Sequence, residues 1–377
     1  MVHNYIFAPV NTNMAKHHFS SLGEIIAHCT TQKLPFALYS LPDEKQIHCI
    51  TQDSGITALD ENSSFPSAEG FILYPFQYSK AVPAYFIRAE HKFSFLDNDI
   101  TKEDTAGNYI FDTPTANNAE TTKPAYCQKI TQAVNTINKG DIQKVILSRV
   151  QNTGTDVAPI AAYIELFQIY PSAFVSLVYI PGKVLWITAS PELLISSSED
   201  ELKTVALAGT KKLGKADWTD KEREEQQMVT EYIHSVLDKN CVNIKMDGPH
   251  ETIAGNVVHL KTSFTAKLDA GLWDLVMELH PTPAVCGIPK KQAMEFIAGT
   301  ESHQRKYYAG FLGPCNVNGE TNLFVNLRCA ELSNNRADLF IGGGITSGSV
   351  LESEWEETVL KANTLLSVLK PVTEKTT

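Results

Sequence analysis

Apolar and polar positions alternate along the chain in short runs, and their period changes partway through. Up to about residue 95 the runs PFALYSL, FILYPFQY and AYFIRA read as strands separated by polar turns, and nothing in them suggests chemistry. From Asp97 to Lys123 the chain is rich in Asp, Asn and Thr and reads as a surface connection. After Pro124 the spacing of Tyr126, Ile130, Val134 and Ile137 is helical, and IQKVILSRV then reads as a strand. Further strands are expected at SAFVSLVYI, KVLWITA and ELLISS, and helices over 221–239 and 352–369. NLFVNLRCAEL and ADLFIGGGI, joined by the turn SNNR, read as a hairpin. Runs of strands with occasional helices favour antiparallel sheets, so the expected class is α+β rather than a βαβ nucleotide fold.

Charge narrows the partners. The 377 residues carry a formal charge of −11, and phosphate neutralisation needs clustered Lys and Arg, of which there is no sign, so nucleic acid is disfavoured. A small acidic ligand remains compatible with a locally basic site. The seven cysteines (Cys29, Cys49, Cys127, Cys241, Cys286, Cys315, Cys329) are scattered and form no CxxC pair, so they read as reduced thiols. The first residues, MVHNYIFAPV, lack a basic segment followed by an apolar run, and no stretch approaches the ~18 apolar residues of a membrane span. The expectation is a cytoplasmic protein with no membrane segment.

Two carboxylate pairs stand out, Glu222 with Glu225 and Glu354 with Glu357, each spaced i, i+3 and so on one face of a predicted helix. The first pair continues into Val229, Tyr232 and Val236, the second into Lys361, Leu365 and Val368, which turns both toward the core. Buried carboxylates are costly without partners, and an oxygen-only set suits Mg²⁺, which shares its shell with water and an anionic substrate. A solvated helix start, where the dipole favours Glu, is the alternative. Lys144 alternates in phase with Ile142 and Ile146, which would bury an amine and suit it to be a base; an edge-strand lysine in water is the other reading. Glu192 follows Pro191 at a turn between two apolar strands, where it is either a desolvated acid or an ordinary turn residue. His280 follows an apolar helical segment and is framed by Pro281 and Pro283, in a site or capping carbonyls. The glycines of IGGGIT let backbone N–H groups approach an anion, or simply turn the chain. Arg328, in phase with Phe324 and Asn326 on LFVNLRC, calls for an acidic partner, an internal Glu or a ligand.

In order along the chain, QKVILSR, SPELLI, VALAGTKK, KEREEQQMV, LHPTPAVCGIP, ESHQRKYYAGFLG, LFVNLRCAEL and IGGGITSGSVLESEWEETVLK resemble the chorismate-utilising enzymes. That family includes isochorismate synthase, salicylate synthase, anthranilate synthase component I and aminodeoxychorismate synthase component I. The resemblance covers roughly residues 124–370. It implies a single chorismate-binding domain over 1–377, with 1–123 a variable N-terminal part and 124–370 the catalytic part. The implied architecture is two packed antiparallel β-sheets flanked by helices, with the substrate between them. By the same resemblance Glu225 and Glu357 are the main Mg²⁺ carboxylates, with Glu222 and Glu354 around the metal and its waters, and the metal holds the ring carboxylate of chorismate. Arg328, Tyr308, Lys361 and the backbone of Gly342, Gly343 and Gly344 match the anchors of the pyruvyl carboxylate, while Gly209, Thr210 and His280 border the ring. Lys144 corresponds to the base that activates water for attack at ring C2, and Glu192 to the acid that protonates the departing C4 hydroxyl.

The implied reaction is isomerisation of chorismate to isochorismate, feeding menaquinone or siderophore biosynthesis. Ammonia-using anthranilate synthases resemble this chain but have glutamine where Lys144 stands, and ALAGT replaces PIKGT. Both differences favour water as the nucleophile and no glutamine amidotransferase partner; a monomer is expected. Salicylate synthase, which goes on to eliminate pyruvate, is the nearest rival. A non-catalytic chorismate-binding homologue is a second, disfavoured because Lys144, Glu192 and all four acidic residues are retained. Two departures from the family pattern are Cys286, in place of a glycine of HPTPAVGG and expected to crowd the ring pocket slightly, and Gln226, where a histidine commonly follows the metal glutamate.

Overall fold

The computed structural model describes residues 19–60, 66–154, 158–199, 201–214, 217–254, 257–269 and 271–369. The N-terminal part holds α1 (Leu22–Gln32), β1 (Phe36–Ser40), β2 (Gln46–Thr51), β3 (Ala58–Leu59), β4 (Gly70–Tyr74), β5 (Ala84–Arg88), β6 (His91–Leu96) and α2 (Lys102–Ala106). The middle holds α3 (Lys123–Lys139), β7 (Lys144–Gly154), α4 (Pro159–Ile169), β8 (Phe174–Ile180), β9 (Val184–Ser190), β10 (Leu193–Ser198), β11 (Glu201–Lys212) and α5 (Asp220–Asn240). Then come β12 (Cys241–Ala254), β13 (Val257–Leu268), α6 (Leu272–Leu279), β14 (Gly287–Ile288) and α7 (Lys290–Thr300). The chain closes with β15 (Phe311–Cys315), β16 (Glu320–Val325), β17 (Cys329–Ser333), β18 (Arg336–Ile345) and α8 (Leu351–Leu366).

Among the described residues these strands form two nine-stranded sheets, β14-β7-β18-β17-β9-β8-β1-β2-β6 and β12-β13-β11-β10-β16-β15-β4-β5-β3. The α+β expectation holds: each pairing is antiparallel, and N-terminal strands complete one end of both sheets. The period of two explains the layers. On β8, Phe174, Val178 and Ile180 join the core between the sheets, while Val175, Leu177 and Tyr179 pack outward with α1, α4 and α8. A strand buried on both faces has no polar side, which is why SAFVSLVYI is almost continuously apolar.

Local chemistry sets the helices. Thr122 caps α3, its side chain accepting from the Ala125 N–H, and Gly140 ends it at φ 89°. Thr219 and Glu222 form a capping box at the start of α5. The stretch from Asp97 to Lys123 is more than a surface connection, since it contains α2 and the buried Asp104, whose Oδ1 accepts from Gly23 N–H at 2.6 Å and so pins it to α1.

NLFVNLRCAEL is not one strand. β16 and β17 lie in different sheets, and Asn326–Arg328 carries the chain across, with Arg328 at φ 48°, a left-handed conformation that breaks strand geometry. Pro191 and Glu192 make a second short crossing between β9 and β10. The two crossings are bonded together: Ser190 Oγ donates to Val325 O at 2.5 Å, and Val325 N–H donates to Glu192 O at 2.9 Å.

Candidate active site

A cavity opens between the sheets beside these crossings, bordered by the end of β18, by β11 and β13, and by α5 and α8. The glycine run forms one wall. β17 pairs with β18 only as far as Phe340, whereas β7 continues to pair through Ile345, so Gly342 to Gly344 have a strand on one side only. At two of the three a Cβ would displace a site side chain: on Gly342 it would strike the Tyr308 hydroxyl, and on Gly344 Glu225 Oε1.

Glu192 lines the cavity and is almost fully buried, and burial pushes its carboxyl up to about 8 against the pull of Lys144 and Lys361. A carboxyl in that state keeps its proton at neutral pH. Lys144 is fully buried at the start of β7, paired beside Ile288 of β14, so the solvent-facing alternative is excluded. Its Nζ lies 2.9 Å from Glu225 Oε1, at ion-pair distance without hydrogen-bond alignment, and the lysine sits behind Glu225 rather than on the cavity wall.

The cationic side is Arg328 with Lys361. Arg328 is half-buried on the wall and donates to Thr364 Oγ1 at 3.3 Å; among the described residues no carboxylate pairs with it. Burial lowers its guanidinium to about 10, with Glu357 opposing, and it stays charged. Lys361 Nζ donates to Gly342 O at 3.0 Å and to Glu357 Oε1 at 2.6 Å. Tyr308 is buried and stacks on Phe340 with centroids 6.0 Å apart. Gly209 and Thr210 also line the space.

His280 does not. Its Nε2 faces the carbonyls of Pro75 and Phe76 at 3.1 and 3.2 Å, away from the cavity wall. The histidine on the wall is His259, opposite Thr210 in the β11–β13 register, which no local pattern in the sequence singles out. Its Nδ1 meets Thr210 Oγ1 at 3.1 Å and Gly209 O at 3.3 Å, and Nε2 is buried without a protein partner. Burial, with Arg328 and Lys361 adding, lowers it to about 3, so the ring is neutral. Cys286 does not crowd the cavity; its sulfur faces Lys290 O, while Ala284 and Val285 line the wall. Gln226 ties α5 to the second sheet, accepting from Ala208 N–H at 2.8 Å and donating to Ala206 O and Thr262 Oγ1.

The four acidic residues divide. Glu222 Oε2 accepts from Thr219 N–H at 2.9 Å and serves the helix cap, off the cavity wall. The other three converge near the glycine run, where a Cβ on Gly343 would sit 3.8 Å from Glu354 Oε2 and 3.9 Å from Glu357 Oε1. Each is held by a lysine: Glu225 by Lys144, Glu354 by Lys221 and Glu357 by Lys361. Among the described residues no three His, Cys, Asp or Glu side chains are gathered tightly enough to hold a metal ion as they stand. The donor set nonetheless fits a hard cation: the oxygens are all carboxylate, and Glu354 Oε2 is buried without a well-formed hydrogen bond.

Residues 75–367 match the family described as chorismate binding enzyme, a span that begins earlier than the motifs alone suggest. The isochorismate synthase EntC of Escherichia coli K12 is 30% identical over 243 residues, covering 60% of this chain and 62% of that protein. A putative isochorismate synthase MenF of Mycobacterium tuberculosis is 34% identical over 257 residues, covering 61% of this chain and 68% of its own length. The chain thus spans about three-fifths to two-thirds of these relatives. In fold it is similar to a solved structure of the putative 2,3-dihydroxybenzoate-specific isochorismate synthase DhbC from Bacillus anthracis, with TM-score 0.75, 23% identity and coverage of 92% of this chain and 99% of that one. Since the match runs through both sheets and every wall of the cavity, this chain belongs to the chorismate binding enzyme family.

Proposed function

We propose that the protein is an isochorismate synthase, converting chorismate to isochorismate with Mg²⁺ as cofactor. The observation that carries this reading is Glu192, a carboxyl kept protonated at neutral pH, in the same cavity as two cations and beside a buried lysine. Arg328, Lys361 and the open side of Gly342 to Gly344 bind the pyruvyl carboxylate. Lys144 takes a proton from the water that adds at C2, once Glu225 has turned to another partner. Glu192 gives its proton to the C4 hydroxyl as it leaves, so water in and water out balance. Neutral His259 offers Nε2 to the ring substituents. Bound Mg²⁺, on Glu225, Glu354 and Glu357, would supply positive charge for the ring carboxylate. The names of the relatives support the same chemistry.

We further infer a cytoplasmic monomer that uses no ammonia-supplying subunit. Its seven thiols are all free, and no helix among the described residues is long and apolar enough to cross a membrane. The test is to incubate purified protein with chorismate, with and without Mg²⁺, and to follow products by chromatography. Isochorismate in reversible equilibrium with chorismate is expected, and none after EDTA. Salicylate and pyruvate accumulating in equal amounts without an added lyase would overturn the assignment.

A further inference from the structure

Lys221 has no part in the chemistry above, yet it is ion-paired with one member of the acidic cluster and lies within electrostatic reach of the other two. It projects from α5, and its Nζ is hydrogen-bonded to Glu354 Oε1 on α8. Glu225 and Glu357 act on the same ammonium electrostatically, so it feels all three carboxylates at once. Glu354 needs a cation most: its side chain is 1% exposed, its Oε2 has no well-formed hydrogen bond, and a buried charge is strongly destabilising without an opposite one. Lys144 and Lys361 satisfy Glu225 and Glu357 but have duties toward water and substrate. Lys221 does not line the cavity, and its side chain is 23% exposed, so it has a way out to solvent.

We propose that Lys221 is a tethered cation that occupies the metal's place in the metal-free protein, and that Mg²⁺ binds by displacing it. The inference rests on the magnesium reading above and adds the residue that sets metal affinity. A built-in competitor keeps the carboxylates compensated when no metal is present. It also weakens Mg²⁺ binding to the free enzyme, so that metal is held firmly only when the chorismate ring carboxylate joins the shell.

Calorimetry of Mg²⁺ binding without chorismate tests this on wild type, K221M and K221R. Removing one competing charge at close range is expected to tighten Mg²⁺ about 10-fold in K221M. K221R keeps the charge and can grip Glu354 with a two-pronged fork, so it should bind Mg²⁺ no more tightly than wild type. A merely structural lysine would move both variants in the same direction. If K221M holds its fold only when loaded, EDTA titration of the loaded protein reads the same ratio. K221M binding Mg²⁺ equally or more weakly than a wild type that binds it would overturn the tethered-cation role alone. No saturable Mg²⁺ binding by any of the three, even with chorismate present, would remove the magnesium reading and this role with it.

Discussion

Glu192→Gln should make the protein inactive and more stable, and by an amount that depends on pH in a defined way. Glutamine keeps the shape of the protonated acid but has no proton to give the leaving hydroxyl, so turnover should fall about 10²–10⁴-fold. Stability moves the other way. Burial raises Glu192 from 4.5 to about 8 in the folded chain, so the native state holds this proton more tightly than the unfolded state does. Its contribution is therefore complete below about pH 4.5 and erodes as pH climbs toward 8. At pH 7 the unfolded carboxyl is ionised while the folded one is not, which costs the wild type about 3 kcal/mol; above pH 8 the penalty levels off near 5 kcal/mol. Glutamine is neutral in both states and escapes this. Urea unfolding followed by circular dichroism at pH 5, 7 and 8.5 should show E192Q nearly level with wild type at pH 5 and progressively ahead at the higher values. A gap that stays constant with pH, or that reverses, would show that Glu192 is not a buried carboxyl holding a proton.

Lys144→Gln should abolish water addition while leaving chorismate binding nearly unchanged, because an acid–base group contributes ~10²–10⁴-fold to rate rather than to affinity; near-normal turnover would refute its role. Gly344→Ala puts a methyl against Glu225 Oε1, the end of a flexible side chain, so the fold should survive while Mg²⁺ affinity drops several-fold. Circular dichroism together with a metal isotherm checks this, and unaltered Mg²⁺ binding would detach Glu225 from the metal.

Much of the fold is legible in the sequence because periodicity reports burial. The 3.6-residue spacing of α3 and the unbroken apolar run of β8 are each plain in the order of residues alone. The acidic pairs on α5 and α8 follow from the same spacing, although TDKE is itself a capping signature and accounts for Glu222. What could not be read is what depends on register between distant segments. NLFVNLRCAEL looks like one strand because its side chains suit burial throughout, and only the positive φ of Arg328 reveals the crossing. His259 lies in a strand of otherwise unremarked residues, and it becomes a wall residue only through its pairing with Thr210. His280, which the resemblance sets at the ring, bonds instead to the carbonyls of Pro75 and Phe76, a distant segment that its local residues do not announce.

The two crossings that carry Glu192 and Arg328 act as tie-bars. Ser190 and Leu193 are three Cα steps apart, and Val325 and Cys329 are four, so fully stretched they reach no more than about 10 and 14 Å. Face-packed sheets stand ~10 Å apart. With so little slack the sheets cannot part like jaws, and a ligand must be admitted by side-chain and loop movement while the gap between acid and anchor stays fixed. The same geometry makes these crossings intolerant of length change. One residue inserted after Asn326 would add ~3.5 Å of play, enough to carry the guanidinium off the carboxylate it should hold while leaving every other wall in place.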